Sequence, residues 1–295
     1  MVAGRYDIIE EGPPRGPRRW AGIAVLAAIL AVPVVVLLAS REPGAVPRLP
    51  VPVPAPSRAD VQETPNVLYP EPRRDGGREI LDVVFPDGSR ARIDYPADLG
   101  LARLGVRPAL GGWLDGHPGP HRQLTVPSGG PAGVAQGRPM IRKMTERVTL
   151  WHPMSPAEGE VLLFAFDPWY VALRDLKTGM AFEQRMLWAR NLRGRVTRSG
   201  YLVLTARPPL RLARAGEFRG GEPVGPQLWF GGARETLLVL APVPGCDVTA
   251  IELPVIRERR RFSGEACRDG VYVAASGEQD KVERVIAGVG VRRLP

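Results

Sequence analysis

Charge is absent from residues 21–40, and histidine, cysteine and lysine are scarce throughout: 3 histidines, 2 cysteines and, among 40 basic residues, three lysines (Lys143, Lys177 and Lys281). Several missing patterns narrow the chemistry. No serine stands in a Gly-x-Ser-x-Gly elbow and no Ser-x-x-Lys pair occurs, which removes the simplest serine hydrolase and penicillin-binding readings. The glycine-rich stretch 129–137 is followed by no Lys-Ser or Lys-Thr, so nothing there grips a β- or γ-phosphate and it reads as a loop. His117 and His121 have the spacing of a helical metal pair, but Pro118 and Pro120 forbid the shared helix, so no metal is expected. His152, beside Trp151, reads as a hydrogen-bonded structural histidine. Asp82, Asp87, Asp94, Glu158, Glu160 and Asp167 read as hairpin and turn charges rather than as a glycosidase pair. No cofactor is expected, and the chain reads as a non-enzyme.

What the uncharged run does offer is a membrane anchor. At about 1.5 Å per residue in a helix, it spans roughly the 30 Å of a bilayer's hydrocarbon core. Trp20 precedes it as an interfacial anchor, and Pro33 falls inside it. Arg15, Arg18 and Arg19 lie before the run and Arg41 and Arg48 after it, so positive charge favours a cytoplasmic N-terminus and an exterior C-terminal part. A cleaved signal peptide has a shorter apolar core and a small-residue cleavage site, which 38–41 does not supply. No cysteine follows the run, so a lipoprotein anchor is excluded, and the residues flanking Arg18-Arg19 in a twin-arginine signal are missing. The expected location is the plasma membrane.

The layout follows from composition. Residues 1–19 form a short cytoplasmic tail, too small to bury a core. Residues 20–40 form the transmembrane helix, and its partner is the lipid bilayer. Residues 41–77 are a proline-rich extracytoplasmic linker whose Pro-apolar alternation favours polyproline II, a semi-rigid spacer. Residues 78–295 are the extracytoplasmic domain.

Within that domain, 80–85 reads as a strand, Pro86-Asp87-Gly88 as a turn and 90–95 as its hairpin partner. A helical turn is expected over 98–104. Loop is expected over 111–139, around a short strand at 123–126. Strands are expected at 148–151, 161–166, 169–173 and 201–205, with an amphipathic helix over 180–192. Further strands are expected at 227–230, 236–240, 248–253 and 271–275, then a short helix over 278–287 with apolar positions 282, 285 and 286. The order strands-then-helix occurs twice, in 146–205 and 226–290, with Trp151 and Trp229 at comparable places, which suggests two related sub-units. The expected fold class is α+β, mostly antiparallel β-sheet with two or three short helices after an N-terminal transmembrane helix.

Cys246 and Cys267 both fall in the exterior part, where a disulfide is the default pairing. Residues 263–268 resemble the nucleophile segment of envelope L,D-transpeptidases, which act through a histidine-activated thiolate. The His-Gly before the cysteine is absent, however, and no histidine lies between His152 and Cys267. The domain is basic: residues 78–295 carry 31 basic and 23 acidic residues. Its densest cluster, Arg257, Arg259, Arg260 and Arg261 between the two cysteines, is a candidate contact for phosphate or carboxylate groups. Nucleic acid is not expected outside a membrane.

Residues 188–194 and 200–205, with 85–96, resemble stretches of uncharacterised single-pass membrane proteins of actinobacterial type. The resemblance covers the domain after residue 78 and implies the same topology and no known activity. The expected function is a membrane-anchored, non-enzymatic binding or structural module at the cell envelope, with an envelope protein or acidic polymer as partner. The alternatives are an envelope enzyme of unrecognised type and an accessory subunit of a secretion or cell-division assembly.

Overall fold

The computed structural model describes residues 66–295 except 118, 137, 154–158, 177–178, 233–235 and 260. The tail, the apolar run with Trp20, and residues 41–65 of the linker lie outside the described residues. No helix among the described residues is long and apolar enough to cross a membrane.

The chain order is β1 (Arg73–Asp75), β2 (Arg78–Val84), β3 (Arg90–Pro96), β4 (Val106–Leu114), β5 (Arg122–Thr125), α1 (Gly130–Ala135), β6 (Met140–Thr145), β7 (Val148–Trp151), β8 (Val161–Phe166) and β9 (Trp169–Arg174). Then come α2 (Phe182–Asn191), β10 (Leu192–Val196), β11 (Leu202–Ala206), β12 (Leu210–Leu212), β13 (Phe218–Arg219), β14 (Glu222–Pro223), β15 (Gln227–Phe230) and β16 (Leu237–Pro242). The last elements are α3 (Pro254–Arg257), β17 (Phe262–Arg268), β18 (Val271–Gly277), α4 (Gln279–Gly288) and β19 (Gly290–Leu294). The fold is α+β and mostly antiparallel sheet, as expected, with few and short helices.

The predicted first hairpin forms with Val84 opposite Arg90. Its turn works as the residues dictate: Gly88 takes φ 91°, and the Asp87 carboxylate accepts from the Ser89 amide at 2.9 Å and hydroxyl at 2.7 Å. β19 returns from the far end of the chain to pair with β3, giving a four-stranded sheet in the order β1-β2-β3-β19. The large sheet runs β17-β18-β16-β15-β4-β5-β9-β8-β7-β6, with β12 also on β4. The stretches 146–205 and 226–290 supply opposite halves of that path, with Trp151 in β7 and Trp229 in β15.

The large sheet is buried on both faces, which explains its continuous apolar runs. Side chains alternate across a strand, and the alternation sorts them into separate cores. Val271, Val273 and Ala275 of β18, with Leu238 and Leu240 of β16, join the core under the four-stranded sheet and α4. Tyr272, Ala274, Leu237 and Val239 join an opposite core with Ile251, Leu253 and Ile256. At the other half, Leu162 and Phe164 of β8 face Trp188 of α2 and Leu202 and Leu204 of β11, while Val161 and Leu163 face Val134 of α1.

Four local expectations change. Residues 111–114, expected as loop, belong to β4, because Gly111 and Gly112 give the neighbouring backbone and Trp188 room to approach. Residues 130–135 of the glycine-rich loop form α1. Residues 248–253 are not a strand: Asp247 accepts from the Thr249 amide at 2.9 Å and starts a 3-10 turn at Val248–Ala250. The linker also ends before residue 77, since Asn66 is buried, Leu68 bridges Val106 and β1 pairs with β2.

Candidate functional site: an arginine ridge along β10

Helix α2 ends at Asn191 and the chain passes directly into β10. Leu192 is buried and Gly194 faces the Phe166 ring, so strand alternation turns Arg193 and Arg195 outward, roughly 6–7 Å apart. Arg190 stands in the last turn of α2, where the helix dipole favours a cation. Arg198 sits in the turn joining β10 to β11. Gly194 is required: a Cβ there would run into Phe166, whose ring stacks beside Phe164 with centroids 6.2 Å apart.

Two recesses adjoin this strand. One, about 460 Å³, is floored by Phe164 and Phe166 and rimmed by Arg147, Arg190 and Arg193, with Glu146 its sole carboxylate. The other, about 360 Å³, is rimmed by Arg90, Arg195 and Arg198 and has no acidic lining residue. The turn before Arg90 is tied to β11 by the Leu204 amide donating to Pro86 O at 2.7 Å, which places Arg90 beside Arg195. All six arginines are exposed, and none pairs with a carboxylate among the described residues. A guanidinium stays charged at any physiological pH and offers a planar fork of donors that matches phosphate or carboxylate oxygens. The ridge is therefore an array of cations without carboxylate partners among the described residues, and one of its two recesses has an aromatic floor.

The cluster between the two cysteines contrasts with it. Arg257 is paired to Glu252 at 3.0 Å, Arg259 and Arg261 have partners, and Arg260 lies outside the described residues. A third recess, about 350 Å³ and lined by Trp113, Trp188, His117 and Arg122, has its buried cation spent. Arg122 donates to Asp175 at 3.1 Å and to Pro120 O at 3.1 Å, and Asp175 also meets Arg185 at 3.3 Å. Burial, Arg219 and Arg122 hold the His121 imidazole below its ordinary range.

Cys246 and Cys267 lie at disulfide distance, Cα–Cα 5.8 Å, and no free cysteine stands among the described residues. Four of the six carboxylates singled out are paired, Asp82 to Arg92 at 2.7 Å, Asp94 to Arg78 at 2.5 Å, Glu160 to Arg185 at 2.5 Å and Asp87 to its own turn, while Asp167 is exposed and Glu158 lies outside the described residues. The Arg92 guanidinium holds the Asp82 carboxyl below the usual range. His152 is exposed at the end of β7, not the hydrogen-bonded residue its position suggests. No cluster of three metal-ligating side chains occurs among the described residues.

Charge density along the chain points to 257–261 and not to the ridge. The signal was present in 190–198: four arginines in nine residues, no acid, and an Arg-Gly-Arg alternation at strand period. Arg90 and Arg147 had no local signal, since only folding brings them there. No protein-family model, curated protein or solved structure matches this chain.

Proposed function

We propose that the chain is a single-pass envelope protein, N-terminus cytoplasmic, whose exterior domain is a non-enzymatic module that binds an acidic envelope component on the arginine ridge. The observation that carries this reading is six exposed arginines around two recesses without carboxylate partners. The uncharged run at 21–40 supports the anchor, and the cysteine pair suits an oxidising exterior. A free thiol would favour the enzyme alternative, and Cys246 and Cys267 lie at disulfide distance.

The test uses the full chain in phosphatidylcholine nanodiscs with fluorescent polyphosphate and polyglutamate as polyanion probes. Binding is expected at low salt and weakens steeply as salt screens the ridge. Replacing Arg190, Arg193, Arg195 and Arg198 by glutamine is expected to weaken it at least tenfold. Equal binding by that variant, or no binding of either probe by the parent chain, overturns the reading. Exterior protease on intact cells is expected to remove the domain, and full protection overturns the topology.

A further inference from the structure

We infer that the ridge seats on an anionic lipid bilayer, so that the domain lies against the membrane its own tether enters. This rests on the reading above and names its partner. Two observations favour a lipid surface over a soluble polyanion.

The first is where the tether arrives. Asn66 is fixed in the domain: its amide donates to Pro127 O at 2.9 Å and Tyr170 O at 2.7 Å, and accepts from the Tyr170 amide at 2.9 Å. Two residues on, the Leu68 side chain packs against Gly200, next to Ser199 and Arg198. The chain therefore enters at the Arg198 end of the ridge. Residues 41–65 separate this point from the uncharged run, a length of about 80 Å at roughly 3.1 Å per residue. A tether this short also keeps the ridge at a high effective concentration near headgroups.

The second is apolar. Met140, Ile141 and Phe182 are among the few large hydrophobic side chains left exposed, at 44%, 37% and 46%. Ile141 lies on β6, whose turn to β7 carries Arg147 of the ridge, and Phe182 opens α2, whose last turn carries Arg190, whereas Met140, opposite Trp151, lies on the other face of the sheet. Arg142 lies over the Phe182 ring at 5.3 Å, joining β6 to α2. Exposed apolar groups flanked by basic ones suit a headgroup interface, where the apolar groups enter and the cations meet phosphate. A polyanion in solution offers nothing to Ile141 or Phe182.

The chemistry suits a phosphate from either source: every cation of the ridge is arginine, whose fork donates to two phosphate oxygens at once.

Amide hydrogen exchange on the full chain in nanodiscs tests this. In discs of phosphatidylcholine with 30% phosphatidylglycerol, exchange over 139–147 and 188–200 is expected to slow about tenfold or more relative to pure phosphatidylcholine discs, an order-of-magnitude figure for several paired charges. The protection is expected to vanish at 0.5 M salt and in the fourfold arginine-to-glutamine variant, with β18 unchanged as the folding control. An Ile141→Ser, Phe182→Ser variant, which keeps every arginine, is expected to lose most of the lipid protection while still binding polyphosphate. If polyphosphate protects 188–200 in neutral discs but phosphatidylglycerol does not, the lipid inference is overturned and the binding module stands. If neither protects it, both fall. Equal protection of the Ile141→Ser, Phe182→Ser variant overturns the apolar contribution and leaves a contact made by the arginines with the headgroups alone.

Discussion

The side-chain amide of Asn66 pairs with the backbone of Tyr170 as a neighbouring strand would, donating to its carbonyl at 2.7 Å and accepting from its amide at 2.9 Å. β5 pairs with β9 only at Leu124–Leu173 and Thr125–Ala172, so Tyr170 would otherwise have no partner on that side. A third bond, to Pro127 O at 2.9 Å, closes the gap beyond the end of β5.

Asn66→Ala is therefore expected to cost about 2 kcal/mol, because buried backbone groups lose their partners. Asn66→Asp is expected to cost more, since a carboxylate would face two carbonyl oxygens. Chemical denaturation of both variants checks this, and faster exchange of the Tyr170 amide localises it.

Gly194→Ala is expected to destabilise by about 1–3 kcal/mol, the usual range for overpacking. The new methyl meets the Phe166 ring, which is hemmed in beside Phe164. Phe166→Leu in the same chain is expected to recover part of the loss. A melting temperature that does not move in Gly194→Ala would show that the ring is free to shift.

The cysteine pair spans 21 residues. In the chain-entropy model a loop of that length is worth about 3 kcal/mol. Replacing both cysteines by serine is expected to lower unfolding stability by about that amount, and the parent chain without denaturant is expected to yield no titratable thiol. The segment inside the loop, including α3 and the Arg257–Glu252 pair, is expected to exchange faster in the serine variant.

Two buried tyrosines predict opposite effects. Tyr95 Oη accepts from the Ala102 amide at 3.1 Å, whereas Tyr201 Oη has no partner among the described residues. Tyr95→Phe is expected to cost about 1 kcal/mol and Tyr201→Phe to gain about as much. Burial raises both hydroxyls above the ordinary tyrosine range. Their contribution is therefore complete below the unfolded value of about 10 and is lost as pH climbs through the folded one. Stability is expected to hold to about pH 9 and to fall above 10. Tyr201→Phe is expected to soften that fall in denaturation curves taken across pH.

Much of the β framework was legible because its signals are local. The hairpin at 80–95 has a strand, a turn with a stated mechanism and a returning strand, and it forms as read. The runs at 161–173 and 271–275 are apolar because both sheet faces are covered, and length alone marks them as strands. The failures are equally physical. β17, with Phe262 and three exposed residues in its seven, carries no apolar period and is a strand only because β18 lies beside it. β19 pairs with β3 across nearly two hundred residues, and no window of sequence holds both.

The sequence by itself determined the uncharged run, the basic excess of the C-terminal part, the cysteine pair and the antiparallel α+β character, since each is a matter of composition, spacing or strand period. Only the tertiary structure decided which arginines stay free. Arg92, Arg78, Arg185 and Arg257 differ from Arg90, Arg147 and Arg195 in nothing but the neighbour that folding delivers: a carboxylate for the first set, other guanidiniums for the second. Charge is written along the chain, but its neutralisation depends on distances of a few ångströms between residues far apart in sequence, and those distances exist only once the sheet has formed.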